Sequence, residues 1–397
     1  MQLGHPRVRG QVVATALLVG LCLPTFASGA SPDQPPARRP STVHLPAPTG
    51  SANVGTTTVE LATKRPETFT AATDDTRRVP VQLWYPAAAA DGCVQPAYMD
   101  PVTARAVADD LPANFAESVR FDACRDAPVA PGGERYPVVL YSHGLGATRF
   151  GSTSLLEELA SRGFVVAAIH HTYASRMTVL ADGTAAAWDE AQWSSPAQID
   201  AHHRVWVDDA RDVLTFLGEL DARKGFALAG RLDLGRVGYV GHSFGGATAV
   251  TTALRDARIR AAVDLDGRMF PSAPKPVRLE VPLLVLLSQG NTRKDDWATS
   301  KSARVVEVAG ATHGSFTDSP LLLEASGLPP APVAGGGQPL AAAGAIAATR
   351  AAVSSFLGCT LRRDAAECRR LDETLTAIAI PSHAAPAIAQ PTPRSPS

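Results

Sequence analysis

The sequence predicts an α/β fold, with a mainly parallel central sheet covered by helices on both faces. Two observations carry this expectation. Short apolar runs of buried-strand type alternate along the chain with segments of helical periodicity. The pentapeptide Gly241-His242-Ser243-Phe244-Gly245 also lies between one such strand and one such helix. No internal repeat or break interrupts residues 53–380, which read as one domain.

The 397 residues carry a formal net charge of −1 and are 45% apolar, enough for one large core or two modest domains. Balanced charge leaves no basic footprint for nucleic acid and no acidic tail. Residues 1–30 read as a secretory signal: Arg7 and Arg9 precede a short apolar run, Val12 to Leu23, and the small residues Ala27-Ser28-Gly29-Ala30 follow. Export is the expected fate. Residues 31–52 have the proline- and alanine-rich composition of a linker, and 381–397 that of a disordered tail. With Cys22 in the signal, four cysteines remain, an even number that suggests two disulfides in an exported chain. Of three connectivities, the local one is favoured, Cys93–Cys124 with Cys359–Cys368.

The elements follow in order. Val59 to Thr63 and Val79 to Tyr85 read as the first strands. A cysteine-flanked insertion, about 91–130, carries a helical stretch from Pro101 to Asp110. Tyr136 to Tyr141 is a buried strand, Ser152 to Ser161 a helix, and Gly163 to Ile169 another buried strand. Trp206, Ala210, Val213, Leu214, Leu217 and Leu220 recur at helical spacing, so Ile199 to Leu220 is a helix with one apolar face. Arg236 to Val240 is the strand before the pentapeptide, and the small residues from Gly246 to Leu254 form the helix after it. Ile259 to Leu265, Pro282 to Leu287 and Arg304 to Val308 are further strands, and Leu340 to Leu357 is a last helix.

Strand, tight turn and helix around G-x-S-x-G is the setting of a nucleophile elbow, which presents Ser243 Oγ at the carboxyl edge of the sheet. A serine hydroxyl needs a base to take its proton. In α/β hydrolases the chain order is Ser, acid, His. Only His313 and His383 follow Ser243, and His383 lies in the proline-rich tail, so His313 is the expected base. The acid candidates are Asp264 and Asp266, at the end of one strand, and Asp295 and Asp296, which stand beside Arg293 and Lys294 like surface charge pairs. Asp266 is nearer the carboxyl edge and precedes Gly267, so it is the expected acid, with Asp264 as a structural partner on the same face. The oxyanion donors are expected to be the amides of Phe244, directly after the nucleophile, and of Leu145, in Ser142-His143-Gly144-Leu145-Gly146.

Those two motifs, with Leu265-Asp266-Gly267-Arg268-Met269-Phe270-Pro271, Val81-Gln82-Leu83-Trp84-Tyr85-Pro86 and His313-Gly314-Ser315-Phe316-Thr317-Asp318, resemble the secreted-type platelet-activating factor acetylhydrolases and their bacterial relatives over about residues 55–320. The resemblance places the acid at Asp266. It implies an α/β-hydrolase fold and serine-dependent hydrolysis of short or oxidised acyl esters, with a small ester or phospholipid substrate, no calcium and no cofactor. Transient contact with a lipid surface is compatible with it. One departure is Gly267-Arg268, where related sequences carry an aromatic residue. His170-His171 and His202-His203 are expected to line the cleft and not to bind a metal, because neighbouring histidines on a strand face opposite ways. Trp188 and Trp193 form either a cap over an acyl pocket or an ordinary surface insertion, and Gly335-Gly336-Gly337 reads as a loop. The rival functions are an extracellular lipase or polyester hydrolase and a catalytically silent binding protein of the same fold.

Overall fold

The computed structural model describes residues 42–380, apart from 71–74, 90–91, 108–114, 274–277 and 293–301. The expected signal segment, the expected tail, Asp295, Asp296 and His383 lie outside the described residues.

Among the described residues one sheet has nine strands: β1 (Asn53–Pro66), β2 (Thr76–Ala87), β3 (Cys124–Arg125), β4 (Tyr136–Ser142), β5 (Val165–Ile169), β6 (Leu232–His242), β7 (Ile259–Leu265), β8 (Leu283–Leu287) and β9 (Ala303–Glu307). Their order across the sheet is β9-β8-β7-β6-β4-β5-β2-β1-β3. Strands β4 to β9 run parallel, and β2 lies antiparallel between β5 and β1. The sheet is thus mixed but mainly parallel.

Although β4 is apolar throughout, its side chains divide with the two-residue period of a strand. Val139 and Tyr141 join a core with the helices Thr153–Ser161, Ala342–Leu361 and Ala365–Ile378. Val138 and Leu140 join a core on the opposite face with the helix Pro196–Ala222 and Ala249 of the helix Phe244–Arg255. Two buried faces explain why these strands read as continuous apolar runs and not as alternating ones.

The register fixes where chemistry can gather. Ser142 lies opposite Ile169 and Gly241, His242 opposite Leu265, and Leu265 opposite Leu286. The carboxyl ends of β4 to β8 therefore form one edge, and the loops that leave it hold the candidate site.

Several expectations need correction. The strand before the elbow begins at Leu232, four residues early, because a register shift between Asp233 and Val237 lets a separate Leu232-Asp233 pair with Tyr136-Pro137. The elbow helix begins at Phe244 and not Gly246. The last predicted helix runs from Ala342 to Leu361, and a further helix, Ala365–Ile378, follows it. That helix was not expected from the sequence, because its composition is polar on balance and only Leu371 and Leu375 of its residues are buried. Asp364 caps it, accepting from the Ala366 and Glu367 amides at 2.8 and 3.3 Å. The described part of the expected linker packs on the domain: Val43–His44 pairs with Val119–Arg120, and Arg350 donates to the carbonyls of Pro46 and Ala47 at 2.8 and 2.7 Å. Proline-rich composition reads as linker, but those carbonyls find a buried guanidinium. Both expected disulfides form, Cys93–Cys124 and Cys359–Cys368, the second tying the last two helices together. Gly335, Gly336 and Gly337 form a loop with φ of 76°, 84° and 107°, a conformation that requires glycine.

Candidate active site

Ser243 sits between β6 and the helix Phe244–Arg255 with φ 55° and ψ −116°, a strained conformation for a residue with a side chain. Its N–H donates to the Leu265 carbonyl at 2.8 Å, which fixes the turn to the end of β7. The flanking glycines are required by contact. A Cβ at Gly241 would lie 2.1 Å from the Gly245 carbonyl oxygen, one at Gly245 2.2 Å from the Ser142 oxygen, and one at Gly246 1.8 Å from Asp264 Oδ1. The sharp turn closes only because β6, the helix and the end of β4 meet backbone to backbone, with the Asp264 side chain packed against Gly246.

Asp266 and His313 come together across the sheet top, with His313 Nδ1 2.6 Å from Asp266 Oδ2. The other carboxylate oxygen accepts from the Ser288 amide at 2.7 Å, the Ser288 hydroxyl at 3.0 Å and Asn291 Nδ2 at 2.8 Å. Burial disfavours the Asp266 carboxylate, but His313, Ser288 and Asn291 outweigh it and hold the carboxyl down to about 2. The carboxylate is therefore ionised at neutral pH, and His313 Nδ1 is the donor. The Asp266 side chain is 3% exposed and that of His313 is 55% exposed, so the carboxylate is fixed and the imidazole faces solvent. No hydrogen bond joins Ser243 to His313 among the described residues, a looseness common before substrate binds.

The backbone at Asp266 is left-handed, with φ 58°. Strand alternation therefore stops at Leu265, and Asp264 and Asp266 do not share a face. Asp264 turns beneath the elbow, where its Oδ1 accepts from the Gly267 amide at 2.8 Å.

The two expected oxyanion donors are both open. Among the described residues, neither the Leu145 nor the Phe244 amide donates to a protein acceptor. Phe244 is the first residue of its helix, where an amide has no intrahelical partner and the helix dipole favours negative charge. The Leu145 loop is pressed against the elbow: a Cβ at Gly144 would lie 3.2 Å from His242 Nδ1 and 3.3 Å from Ser243 Cβ.

Residues within the quoted motifs to which the sequence assigned no role support this arrangement. His242 Nε2 donates to the His313 carbonyl at 2.9 Å, so the residue before the candidate nucleophile holds the loop of the candidate base. Asp318 accepts from Ser154 and Tyr98, and its N–H donates to the Gly151 carbonyl at 2.8 Å, anchoring the far end of the His313 turn. Burial pushes the Asp318 carboxyl up to about 7 against those hydrogen bonds.

The histidine pairs separate, each ring with its own partner. His170 takes a hydrogen bond from Arg149 on Nδ1 and bonds Ser175 Oγ at 2.7 Å. His171 Nδ1 donates to Asp209 at 2.9 Å and its Nε2 accepts from Ser142 Oγ at 2.8 Å. His202 Nε2 donates to the Gln192 carbonyl at 2.7 Å, and His203 Nδ1 lies 3.0 Å from Ser272 Oγ. Among the described residues no group of three or more His, Cys, Asp or Glu is arranged to hold a metal.

Behind His171 lies a buried ion network unforeseen in the sequence. Arg77, 0% exposed, makes two bonds to Asp209, at 3.0 and 2.7 Å, and one to Glu67 at 2.9 Å. Burial opposes the Asp209 charge, but Arg77 and His171 outweigh it and hold its carboxyl far below the usual range. Nothing local marks Arg77 as buried, since it lies next to Arg78 in a strand that alternates only in part.

An aromatic cluster adjoins the Leu145 loop. Trp188 stacks on Trp193 with ring centroids 5.1 Å apart and 9° between planes, and its ring covers Gly146. Trp193 meets Phe244 edge-on at 5.9 Å, and Phe244 packs on Phe270 at 4.8 Å. Arg268, where an aromatic residue was expected from related sequences, stacks over Phe270 at 5.1 Å.

Residues 39–211 and 220–326 match the family model described as platelet-activating factor acetylhydrolase, isoform II. The platelet-activating factor acetylhydrolase of Cavia porcellus is 29% identical over 229 residues, 51% of this chain and 52% of that protein. A probable 1-alkyl-2-acetylglycerophosphocholine esterase of Arthroderma benhamiae is 24% identical over 208 residues, 48% of this chain and 51% of that one. The chain spans about half the length of the curated relatives it matches. A solved ferulic acid esterase from Streptomyces cinnamoneus superposes with a TM-score of 0.70 at 30% identity, covering 82% of this chain and 94% of that one, and it bears out the α/β-hydrolase fold.

Proposed function

This chain belongs to the platelet-activating factor acetylhydrolase, isoform II family, and from that membership we propose that it is an exported serine carboxylester hydrolase working through an acyl-enzyme. Ser243 Oγ attacks the acyl carbonyl as its proton passes to His313 Nε2. The Leu145 and Phe244 amides receive the oxyanion, and Asp266 stabilises the imidazolium. Collapse breaks the ester C–O bond, and the leaving alkoxide takes the proton from His313. Water then gives a proton to His313 and attacks the acyl carbon, and Ser243 leaves with that proton restored. The observation that carries the reading is the 2.6 Å Asp266–His313 pair together with the strained backbone at Ser243 and the undonated Leu145 and Phe244 amides. Replacing Ser243 by alanine is expected to lower kcat on p-nitrophenyl acetate by on the order of a millionfold. Wild-type turnover in that variant would contradict the reading. The two disulfides support export.

For the acyl group, the family favours short acyl chains such as the acetyl ester of a glycerophospholipid. A second acyl class, a planar aromatic acid, is favoured by the Trp188–Trp193 stack beside the oxyanion loop and by likeness to a ferulic acid esterase. Comparing kcat/KM on an sn-2 acetyl phospholipid, a short-chain p-nitrophenyl series and methyl ferulate separates them. A lipase or polyester hydrolase would instead prefer long-chain or polymer substrates.

A further inference from the structure

The oxyanion loop contains a buried histidine that the proposed chemistry leaves unused. His143, 1% exposed, directly follows β4. Its Nδ1 lies 2.7 Å from the Gly144 carbonyl oxygen, and its Nε2 lies 3.3 Å from the His171 backbone nitrogen. A carbonyl only accepts, so Nδ1 carries the proton. A backbone N–H only donates, so Nε2 accepts. Both contacts select one neutral tautomer. Burial, with His171 and Arg149 nearby, pushes the ring's pKa down to about 3, so it is uncharged throughout the working range.

The Gly144 carbonyl and the Leu145 N–H belong to the same peptide unit. In a trans peptide they point in opposite directions across a rigid plane, so a bond that fixes one fixes the other. We propose that His143 is a positioning residue: its Nδ1–H holds the Gly144–Leu145 peptide plane so that the Leu145 amide faces the acyl oxygen at Ser243. Donation into the carbonyl also polarises the peptide and strengthens its N–H as a donor.

The surroundings keep His143 in that role. His171, whose amide selects the tautomer, is itself fixed by Asp209 and Ser142. Ser142 Oγ also lies 2.7 Å from Tyr239 OH, and Asp209 is paired with Arg77. The hydrogen bonds therefore run from Arg77 through Asp209, His171 and His143 to Gly144. A parallel line from Arg149 through His170 and Ser175 ends on the Ala147 carbonyl at 2.6 Å, so the loop is braced on both sides of Leu145.

The proposal rests on the serine-hydrolase reading, and the test separates the two. A wild-type protein whose turnover survives Ser243→Ala overturns that reading and this proposal with it. With Ser243 dependence established, two His143 variants divide the ring's contacts. His143→Asn places an amide nitrogen where Nδ1 was and keeps the donor to Gly144. His143→Gln reaches only the Nε2 position and keeps the partner of His171. On p-nitrophenyl acetate, His143→Gln is expected to lose roughly 100-fold in kcat, the scale of one oxyanion donor, with KM within about twofold. His143→Asn is expected to stay within about fivefold of wild type. Equal losses in the two variants, or a Gln variant as fast as wild type, would overturn the proposal. A histidine-selective 15N spectrum of the wild-type protein is a check that needs no variant to fold: His143 should appear as the Nδ1–H tautomer from pH 5 to 9, and an Nε2–H tautomer would overturn it.

Discussion

The two sides of the candidate site are built on opposite plans. On the β6–β7–β9 side, one fixed carboxylate, Asp266, holds a half-exposed imidazole, His313, at the start of a short turn. On the β4–β5 side, the proposed oxyanion loop rests on side chains that are almost wholly out of water: Arg77, Asp209, His171, His143 and His170 are each 1% exposed or less. The contrast follows from what each side is asked to do. A base must accept, turn and release a proton, so it needs room and water at its outer nitrogen. Amide donors contribute most when they are already aligned with the developing charge, and a buried network that leaves them no alternative orientation supplies that preorganisation.

The comparison breaks first where the moving side is altered. Asp266→Asn, which lets the side-chain amide donate to His313 and favours the wrong tautomer, should lower kcat by about 10⁴-fold with little change in unfolding midpoint. Steady-state kinetics beside a urea melt reads both. The fixed side should answer in stability. Asp209→Asn leaves buried Arg77 with Glu67 as its one remaining carboxylate among the described residues and should cost about 3–5 kcal/mol in chemical denaturation. Equal effects of the two substitutions on activity and stability would erase the distinction.

A smaller effect is expected far from both sides. Replacing Cys359 and Cys368 by serine opens a short loop and should cost about 2–3 kcal/mol of stability. The same double variant should keep its kcat at 25 °C, since the bond joins only the last two helices.

The pH dependence of stability sharpens the contrast further. Asp209 is held far below its usual range, so its contribution is present above about pH 4 and is lost as the pH falls further. Asp318, under the His313 turn, is pushed up to about 7 from 3.8, so the folded state keeps a proton that the unfolded chain sheds. Its contribution is full below about pH 4 and is lost as the pH rises to about 7. Asp318→Asn should flatten the neutral limb of a stability–pH profile, and Asp209→Asn the acid limb. A wild-type profile unaffected by Asp318→Asn between pH 4 and 7 would remove that assignment.

The legible parts of the sequence were those with local signals. Gly241 to Gly246 declares the elbow because strand, glycines and small-residue helix are adjacent in the chain, and His313 was reachable because only two histidines follow Ser243. Asp266 was preferred by its place before Gly267, although the supposed alternation with Asp264 does not survive the left-handed backbone at 266. The supporting residues were hidden because their partners are distant. Arg77 and Asp209 are 132 residues apart, and Asp318 meets Tyr98 across 220. The role of His143 is written in a single peptide plane, and only the direction of its ring reveals it.

Fluorophosphonate labelling followed by peptide mass spectrometry bears most directly on the reaction proposed for this fold. One adduct per chain is expected, on the peptide that contains Ser243, formed slowly in Asp266→Asn and absent from Ser243→Ala. A folded wild-type protein that takes no adduct, or takes it at another residue, would contradict the assignment of Ser243 as nucleophile.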